Sequence, residues 1–582
     1  MEIKEHSLEK KIIKSDICVV GGGVAGVNAA IMASRLGSSV VLIQDRPVFF
    51  GNASGEVRMW ICGVKDFRYK ESGLMEEINL ENFRYNPNKR YPIWDALIYQ
   101  KVKNQKNLDS YLNTTCFDAK MNGNQIESIT AFQMSTQTFI EVHSNVYIDC
   151  SGDGILAPLT GASFMCGREG KEEFGEDMMI SHSVRDNKTM GNSLIMQAVK
   201  RNKKIDFVAP EWAEKVSIGK LKSKGFAFNS SENFWYLELG GNLDVIKESE
   251  IINKKLLSIC FGIWDLIKNS GEYDADYFDL DFIGILPAKR ESRRFVGEYI
   301  LTGNDLVNGT IFEDEIAYGG WPMDDHNPDG FDGEVSNYYT YLSPYGIPFR
   351  CLYSKDVSNL MFAGRNISLT HMAMSSARVM GTCGTIGQAA GVGAYLCNKY
   401  SVLPKDILKK GYIKELQQTL LLQDSYLINI NREVDPLNKN IAGFEKMRNG
   451  DDRLSYEELN NNEPVIYRFN IPTYISKIKL VFDSDLSRSS FTNADAVEKE
   501  HSMRCFILDD SPTMNMPITL AREFQIKYSN GTKEKTIDVK DNLKRNLIID
   551  INENVKDISL TIKSNWGNSN KTSVFTFECY GK

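Results

Sequence analysis

The chain has no Cys-x-x-Cys pair, no basic run, only six histidines and no apolar stretch of bilayer length, and each absence removes a class of function. Without roughly 20 consecutive apolar residues a spanning helix is excluded, and no membrane partner is expected. A net charge of −8 with no clustered lysine or arginine leaves no electrostatic footprint for a polyanion, so no nucleic-acid partner is expected either. The 11 cysteines lie singly in a chain too long to need disulfide staples, which reads as reduced core thiols. The opening stretch, MEIKEHSLEKKIIKSDICVVGGG, shows no apolar signal core and no small-residue cleavage site, so the expected location is the cytoplasm.

What is present is ordinary globular composition, 42% hydrophobic and 25% charged, over 582 residues. One hydrophobic core rarely serves such a length, so two to four domains are expected.

SDICVVGGGVAGVNAAIMASRLGSSVVLIQDR, residues 15–46, is the most informative segment. Ile17 to Val20 read as a buried parallel strand, Ala25 to Leu36 as a helix stopped by Gly37, and Val40 to Ile43 as a second strand. Gly21, Gly23 and Gly26, with Val24 and Ala25 between them, fit the GxGxxG turn that brings a bare backbone and a helix N-terminus to a pyrophosphate. The acid expected at the end of the second strand is replaced by Gln44, followed by Asp45, and either could hold the ribose hydroxyls. No arginine takes the acid's place to meet a 2′-phosphate, although Arg46 is close, so NADP is disfavoured. VYIDCSGDGILA carries a second match, Gly152-x-Gly154-x-x-Ala157. No amphipathic helix and strand follow it, so the turn with Gly152 and Asp153 reads as part of the first nucleotide site.

GGWPMDDHNPDG, Gly319 to Gly330, has two readings. Asp325, Asn327, Asp329 and Gly330 occupy the first, third, fifth and sixth positions of a calcium loop. That loop needs an apolar eighth residue and a bidentate Glu at the twelfth, whereas Asp332 and Ser336 stand there, so no metal site is assigned. The other reading makes His326 a candidate general base.

Five segments carry a resemblance when taken together and in order: QDRPVFFGNASGEVR, IDCSGDGILAPLTGASFMCGREGKEEFGE, LPAKRESRRFVGEYILTGNDL, GGWPMDDH and NLMFAGRNISLTHMAMSSARVMGTCGTIGQAAG. The chain resembles the bacterial FAD-dependent oxidoreductases of the glutathione-reductase-like superfamily, related more distantly to fumarate reductase, from about residue 15 to 400. The resemblance implies FAD as the dinucleotide. It places Gly51, Asn52 and Ser54 at the cofactor, and with them Gly364 and Arg365 at the end of a return strand. Gly384, Thr385 and Gly387 would open a small-residue helix whose N-terminus faces the flavin and whose dipole would stabilise negative charge on it.

The fold class expected is α/β, a Rossmann-like FAD-binding domain with an inserted α+β substrate domain, followed by a C-terminal antiparallel β-sandwich. The boundaries are 1–165 and 351–400 for the FAD-binding parts, 166–350 for the substrate domain, 401–450 for a helical connection and 455–582 for the sandwich. The helical reading of the connection runs from Leu403 to Asn449; the sandwich reading rests on short alternating runs split by Asn, Asp and Gly turns. Arg290, Arg293 and Arg294, with Glu291 and Glu298, either bind the flavin or an oxygen-rich substrate through two-point contacts or form a structural ion-pair network, and Arg168 with Glu169 is similar in kind.

Oxidation of an alcohol or amine by flavin moves a hydride to N5 and needs a base for the departing proton. His326 and His371 are the candidates, with Arg350 and Arg378 placed to orient a substrate. The function expected is an FAD-dependent oxidoreductase acting on a small polar molecule, a sugar, polyol or hydroxy acid derivative. One alternative is an FAD-dependent reductase of an activated carbon–carbon double bond, with an arginine as proton donor. Another is a flavin-containing scaffold or glycan-binding protein whose sandwich takes carbohydrate. The electron acceptor or donor is unknown, and homo-oligomer formation is left open.

Overall fold

The computed structural model describes residues 8–176, 178–229, 234–487, 502–508 and 512–581. The chain divides into two compact units, one of Met1–Asp66, Lys89–Leu416 and Glu498–Thr513, the other of Phe67–Asn88, Gln417–Val497 and Met514–Lys582.

The first unit grows from the glycine-rich segment as its pattern requires. Strand β1 (Lys10–Val20) is charged and exposed at its start and fully buried over Ile17 to Val20, the signature of a strand covered on both faces. Helix α1 (Val24–Arg35) buries every residue but Arg35, and Gly37 at φ +111° ends it. Strand β2 (Val40–Ile43) then pairs parallel with β1, Ile17 opposite Val40.

The remaining strands of the sheet are β3 (Leu108–Tyr111), β4 (Thr114–Asn122), β5 (Gln125–Gln133), β6 (Thr138–Asp149) and β7 (Leu360–Phe362). The order is β3-β2-β1-β6, and on the edge away from β1 strand β6 divides its length between two further partners. Its start pairs antiparallel with β5, which pairs with β4, while Tyr147 to Asp149 pair parallel with β7. Five parallel strands therefore end on one edge, the place where open α/β sheets take ligands. Helix α2 (Met380–Tyr400) packs on α1 through the backbone: a Cβ on Gly387 would lie 2.1 Å from Ala25 O, and one on Gly391 2.4 Å from Ala29 O.

The insert between Gly161 and Asn359 is built from short strand pairs around the helix Ser249–Asn269, whose Ile252, Leu256 and Ile263 join a core with Leu194, Met196 and Leu237. One pair, Met323–His326 against Ser336–Thr340, is antiparallel with an irregularity between Asp325 and His326.

In the second unit six strands share one antiparallel ladder: β8 (Glu457–Asn460), β9 (Pro464–Phe482), β10 (Ala521–Ser529), β11 (Glu534–Val539), β12 (Asn546–Asn565) and β13 (Lys571–Tyr580), ordered β8-β13-β9-β12-β10-β11. Register shifts midway along β9 bend the ladder. Tyr467 then stacks on Phe577 at 4.5 Å and Phe482 packs on Phe524 at 5.0 Å, so opposite ends of β9 face strands they do not pair with. The two-layer antiparallel packing expected of a sandwich is thus met by one folded ladder.

The helical reading of Leu403 to Asn449 holds only in part. Helices cover Asp406–Lys409 and Ile413–Leu422, after which Asp424 turns left-handed at φ +62° and the asparagines, Pro436 and Gly443 hold the chain in turns and 3₁₀ pieces. Within this unit Arg432 bonds Asp452 at 3.0 Å and Glu578 at 2.9 Å, and the fully buried Lys479 lies 3.6 Å from Asp452. Burial pushes Asp452 up, but Lys479 and Arg432 outweigh it and bring it to about 2. Among the described residues no helix is long and apolar enough to cross a membrane.

Candidate functional site

A cavity of about 970 Å³ opens outside the carboxyl ends of β1, β2, β6 and β7. Its lining begins with the glycine loop, where the three glycines serve different needs. Gly21, at φ +103°, would put a Cβ 2.4 Å from Cys150 O, and Gly26 would put one 1.8 Å from Gly21 O, so both exist for close packing. Gly23 has nothing within 4 Å of its Cβ position and borders the cavity. That bare backbone at the N-terminus of α1 fits a pyrophosphate.

Gln44 and Asp45 divide the work that sequence left open between them. Gln44 is buried; its Oε1 accepts from Gly22 N–H at 2.7 Å and its Nε2 donates to Val48 O at 3.0 Å, so the side chain clamps the loop. Asp45 is exposed and lines the cavity with Val24, Ala25, Arg46, Gly51 and Asn52. Asn52 Nδ2 donates to Lys289 O at 3.1 Å, whereas Ser54 is buried away from the lining.

The second glycine turn belongs to the same cavity: Gly152 and Asp153 line it, and the helix that follows, Leu156–Thr160, is five residues long. Asp153 joins three segments, meeting Arg365 at 2.5 Å and Lys289 at 2.7 Å. Burial pushes its carboxyl up, but Arg365 and Lys289 outweigh burial and hold it well below the usual carboxylate range. Gly364 and Arg365 line the cavity at the end of β7. Val379, which caps α2, and Met380 and Cys383 of α2 border it, while Gly384, Thr385 and Gly387 do not; Gly387 is spent on contact with α1.

The wall contributed by the insert holds Trp235, Arg290, Trp321, Asp324 and His326, and Arg378, at the end of the helix His371–Ala377 after the return strand, lines the cavity beside them. His326 is 3% exposed, with Nδ1 donating to Glu238 Oε2 at 2.6 Å and Nε2 3.2 Å from Asp324 Oδ2. Burial opposes its charge, but Glu238 and Asp324 outweigh burial and Arg290 and raise its pKa. Arg290 is itself held by Glu238 at 3.2 Å and by the carbonyls of Gly191 and Trp235. Arg378 Nη2 donates to Asp324 O at 3.4 Å, and its buried Nε makes no hydrogen bond within the described residues.

His371 and Arg350 stand outside this lining. His371, the first residue of the helix His371–Ala377, is buried with Nδ1 at 3.0 Å from Glu291 and Nε2 at 2.8 Å from Asp325. Burial pulls its pKa down, but Glu291 and Asp325 push it up to about 10, so it is an imidazolium at neutral pH. Arg350 forms a two-point contact with Asp314, both bonds 3.0 Å. The arginine cluster splits in the same way. Arg294 is fully buried between Glu291 and Glu169, a structural ion-pair network, whereas Arg290 and Arg293 reach the cavity. The acids of the calcium-like loop diverge: Asp325 serves His371 and Asp329 accepts from Asn242 at 2.7 Å.

Three participants had no signal in sequence. Glu238 sits in the plain stretch YLELGG yet anchors both His326 and Arg290. Trp60 lies in a loop, and Arg504 lies far beyond the return strand, and both line the cavity.

The profile of the family described as FAD dependent oxidoreductase matches residues 16–420. Among solved structures, Mycobacterium smegmatis Sdh1 in complex with UQ1 is similar at 11% identity over 70% of this chain and 77% of that one, with a TM-score of 0.27. Quinol fumarate reductase FrdA of E. coli is similar at 10% identity over 71% and 75%, TM-score 0.27. OxyS anhydrotetracycline hydroxylase from Streptomyces rimosus is similar at 11% identity over 71% and 70%, TM-score 0.32. No curated protein matches the chain.

Proposed function

The chain belongs to the FAD-dependent oxidoreductase family, and we propose that it transfers a hydride between its flavin and a small polar substrate, a sugar, polyol or hydroxy acid derivative. Bound FAD supplies the centre that accepts or gives the hydride. The observation that carries the reading is that His326 and Arg378 line the same cavity as Gly23 and Asp45, so a proton-carrying group and a cation share one space with the nucleotide loop.

In this reading Gly21 to Gly26 and Asp45 hold the dinucleotide, and the Asp153–Arg365–Lys289 cluster fixes the three segments around it. Arg378, whose Nε keeps an unused donor, takes a substrate oxygen. His326 Nε2 carries the proton of the reacting hydroxyl. Glu238 on Nδ1 fixes the ring and its tautomer. For substrate oxidation His326 must be neutral, so the rate of oxidation rises with pH through its raised pKa. His371 lies outside the cavity lining and is held charged by Glu291 and Asp325, so in this reading it has a structural role and His326 is the base.

The raised pKa of His326 also favours a second reading, reduction of an activated carbon–carbon double bond, with His326 or an arginine as the proton donor. One experiment separates them. The visible spectrum of the holoenzyme is recorded without oxygen before and after adding sugars, polyols and hydroxy acids. Bleaching by one class establishes oxidation of that class. A flavin that none of them reduces, but that an enoate reoxidises after dithionite, establishes the reductase; a flavin inert to both overturns each reading.

A further inference from the structure

Residues 502–508 lie beyond the matched segment 16–420, between strands β9 and β10 in sequence, yet they fold as part of the first unit. The segment is fastened along its length. Tyr91 Oη donates to Met503 O at 3.3 Å, Cys505 Sγ lies 3.7 Å from Gln197 Oε1, and Ala198 N donates to Ile507 O at 2.5 Å. Met503, Cys505, Phe506 and Ile507 are buried. Between them Arg504 lines the cavity, its guanidinium 4.6 Å from the ring centre of Trp60, which lines it too, and 5.2 Å from Phe506.

A guanidinium stacked on an indole is held by its face, and the in-plane N–H edge is the part that meets a carboxylate in two-point fashion. Trp60 belongs to a stretch that joins the cofactor end to the insert wall: Met59 N donates to Asn52 O at 2.9 Å, Gly381 N at the start of α2 donates to Cys62 O at 2.7 Å, and Lys65 N donates to Gly320 O at 3.1 Å. A second pair of the same kind, Lys65 Nζ 4.5 Å from the ring of Trp321, lines the cavity at the far end of that stretch. The wall thus offers flat aromatic faces, suited to the C–H face of a sugar ring, each with a cation beside it.

We propose that Arg504 with Trp60 forms the subsite for a carboxylate of the substrate, so that the molecule handled here is a polyhydroxylated acid of the uronate type rather than a neutral sugar or polyol. The proposal rests on the hydride-transfer reading for the reaction, and its binding step is measured without it. Segment 502–508 then acts as the specificity element that this chain adds to the family's cofactor fold.

The test is calorimetric titration of holoenzyme with D-glucuronate and with D-glucose, in wild type, Arg504→Gln and Arg504→Lys, with flavin content checked for each. The expected wild-type preference for the acid is roughly tenfold or more. Arg504→Gln abolishes that preference and leaves the glucose dissociation constant within about twofold, while Arg504→Lys keeps part of it. A wild type without the preference, or an Arg504→Gln variant that retains it, overturns the proposal. If the preference follows Arg504 but the flavin is inert to sugars, polyols, hydroxy acids and an enoate alike, the subsite stands and the hydride-transfer reading falls.

Discussion

Asp324 and Asp325 are neighbours on one strand and hold different histidines: Asp324 lies 3.2 Å from His326 Nε2, and Asp325 lies 2.8 Å from His371 Nε2. Side chains alternate along a strand, so adjacent acids point to opposite faces. One face presents His326 to the cavity. The other closes a buried cluster of Asp325, His371, Glu291, Arg294 and Glu169.

The cavity face governs chemistry. His326→Asn is expected to keep its flavin and slow flavin reduction by substrate roughly a hundredfold, measured by anaerobic stopped flow. Asp324 raises the pKa of His326, so Asp324→Asn is expected to move the pH profile of substrate oxidation to lower pH. A profile that stays in place would show that a different group carries the proton.

The buried face governs stability. His371 is raised to about 10 from an unperturbed 6.5, so between those values the folded state binds the proton that the unfolded state releases. Its contribution is complete below about pH 6.5 and falls by at most ~1.4 kcal/mol per pH unit as pH rises toward 10. Urea unfolding at pH 7 and 9.5 is expected to show the loss in wild type and not in His371→Gln. Equal losses in both would remove His371 as its source.

The glycine loop separates folding from cofactor binding. Gly26→Ala forces a Cβ to 1.8 Å from Gly21 O and is expected to prevent folding of the unit. Gly23→Ala meets nothing within 4 Å, at an ordinary φ of −68°, so the protein is expected to fold with a low FAD content. Circular dichroism together with the ratio of absorbance at the flavin band to that of protein distinguishes the two.

Legibility followed the range of the interaction. The βαβ unit, its glycines and the stop at Gly37 are local, and they stand where the sequence put them. The alternating strands of the tail were equally readable, but the stacking of Tyr467 on Phe577 depends on a bend that no local pattern encodes. The helix read through Asn449 ended at Leu422 because turn-forming residues outweighed apolar spacing. In the site, the type of residue was legible and its partner was not. His326 and His371 look alike in sequence; Glu238, 88 positions from His326, and Glu291, 80 from His371, set their states.

The ionic cluster of the second unit offers a control far from the glycine loop in sequence. Asp452→Asn leaves the buried Lys479 without its carboxylate and is expected to cost ~3–5 kcal/mol. Lys479→Met, which removes the buried charge itself, is expected to cost far less. Thermal melts of the two variants compare them; an equal loss would show that packing volume, not charge, dominates there.

Where α1 meets α2, Ala25 O faces Gly387 and Ala29 O faces Gly391, so main chain touches main chain with no side chain between. The gap between the nucleotide loop and the helix that returns to it is therefore ruled by the van der Waals radii of backbone atoms, like the fixed jaw of a caliper. Rotamer changes elsewhere in the two helices cannot widen it. Substitutions over most of their length are then free to accumulate, while a single methyl at either glycine would reset the opening on which the cofactor depends.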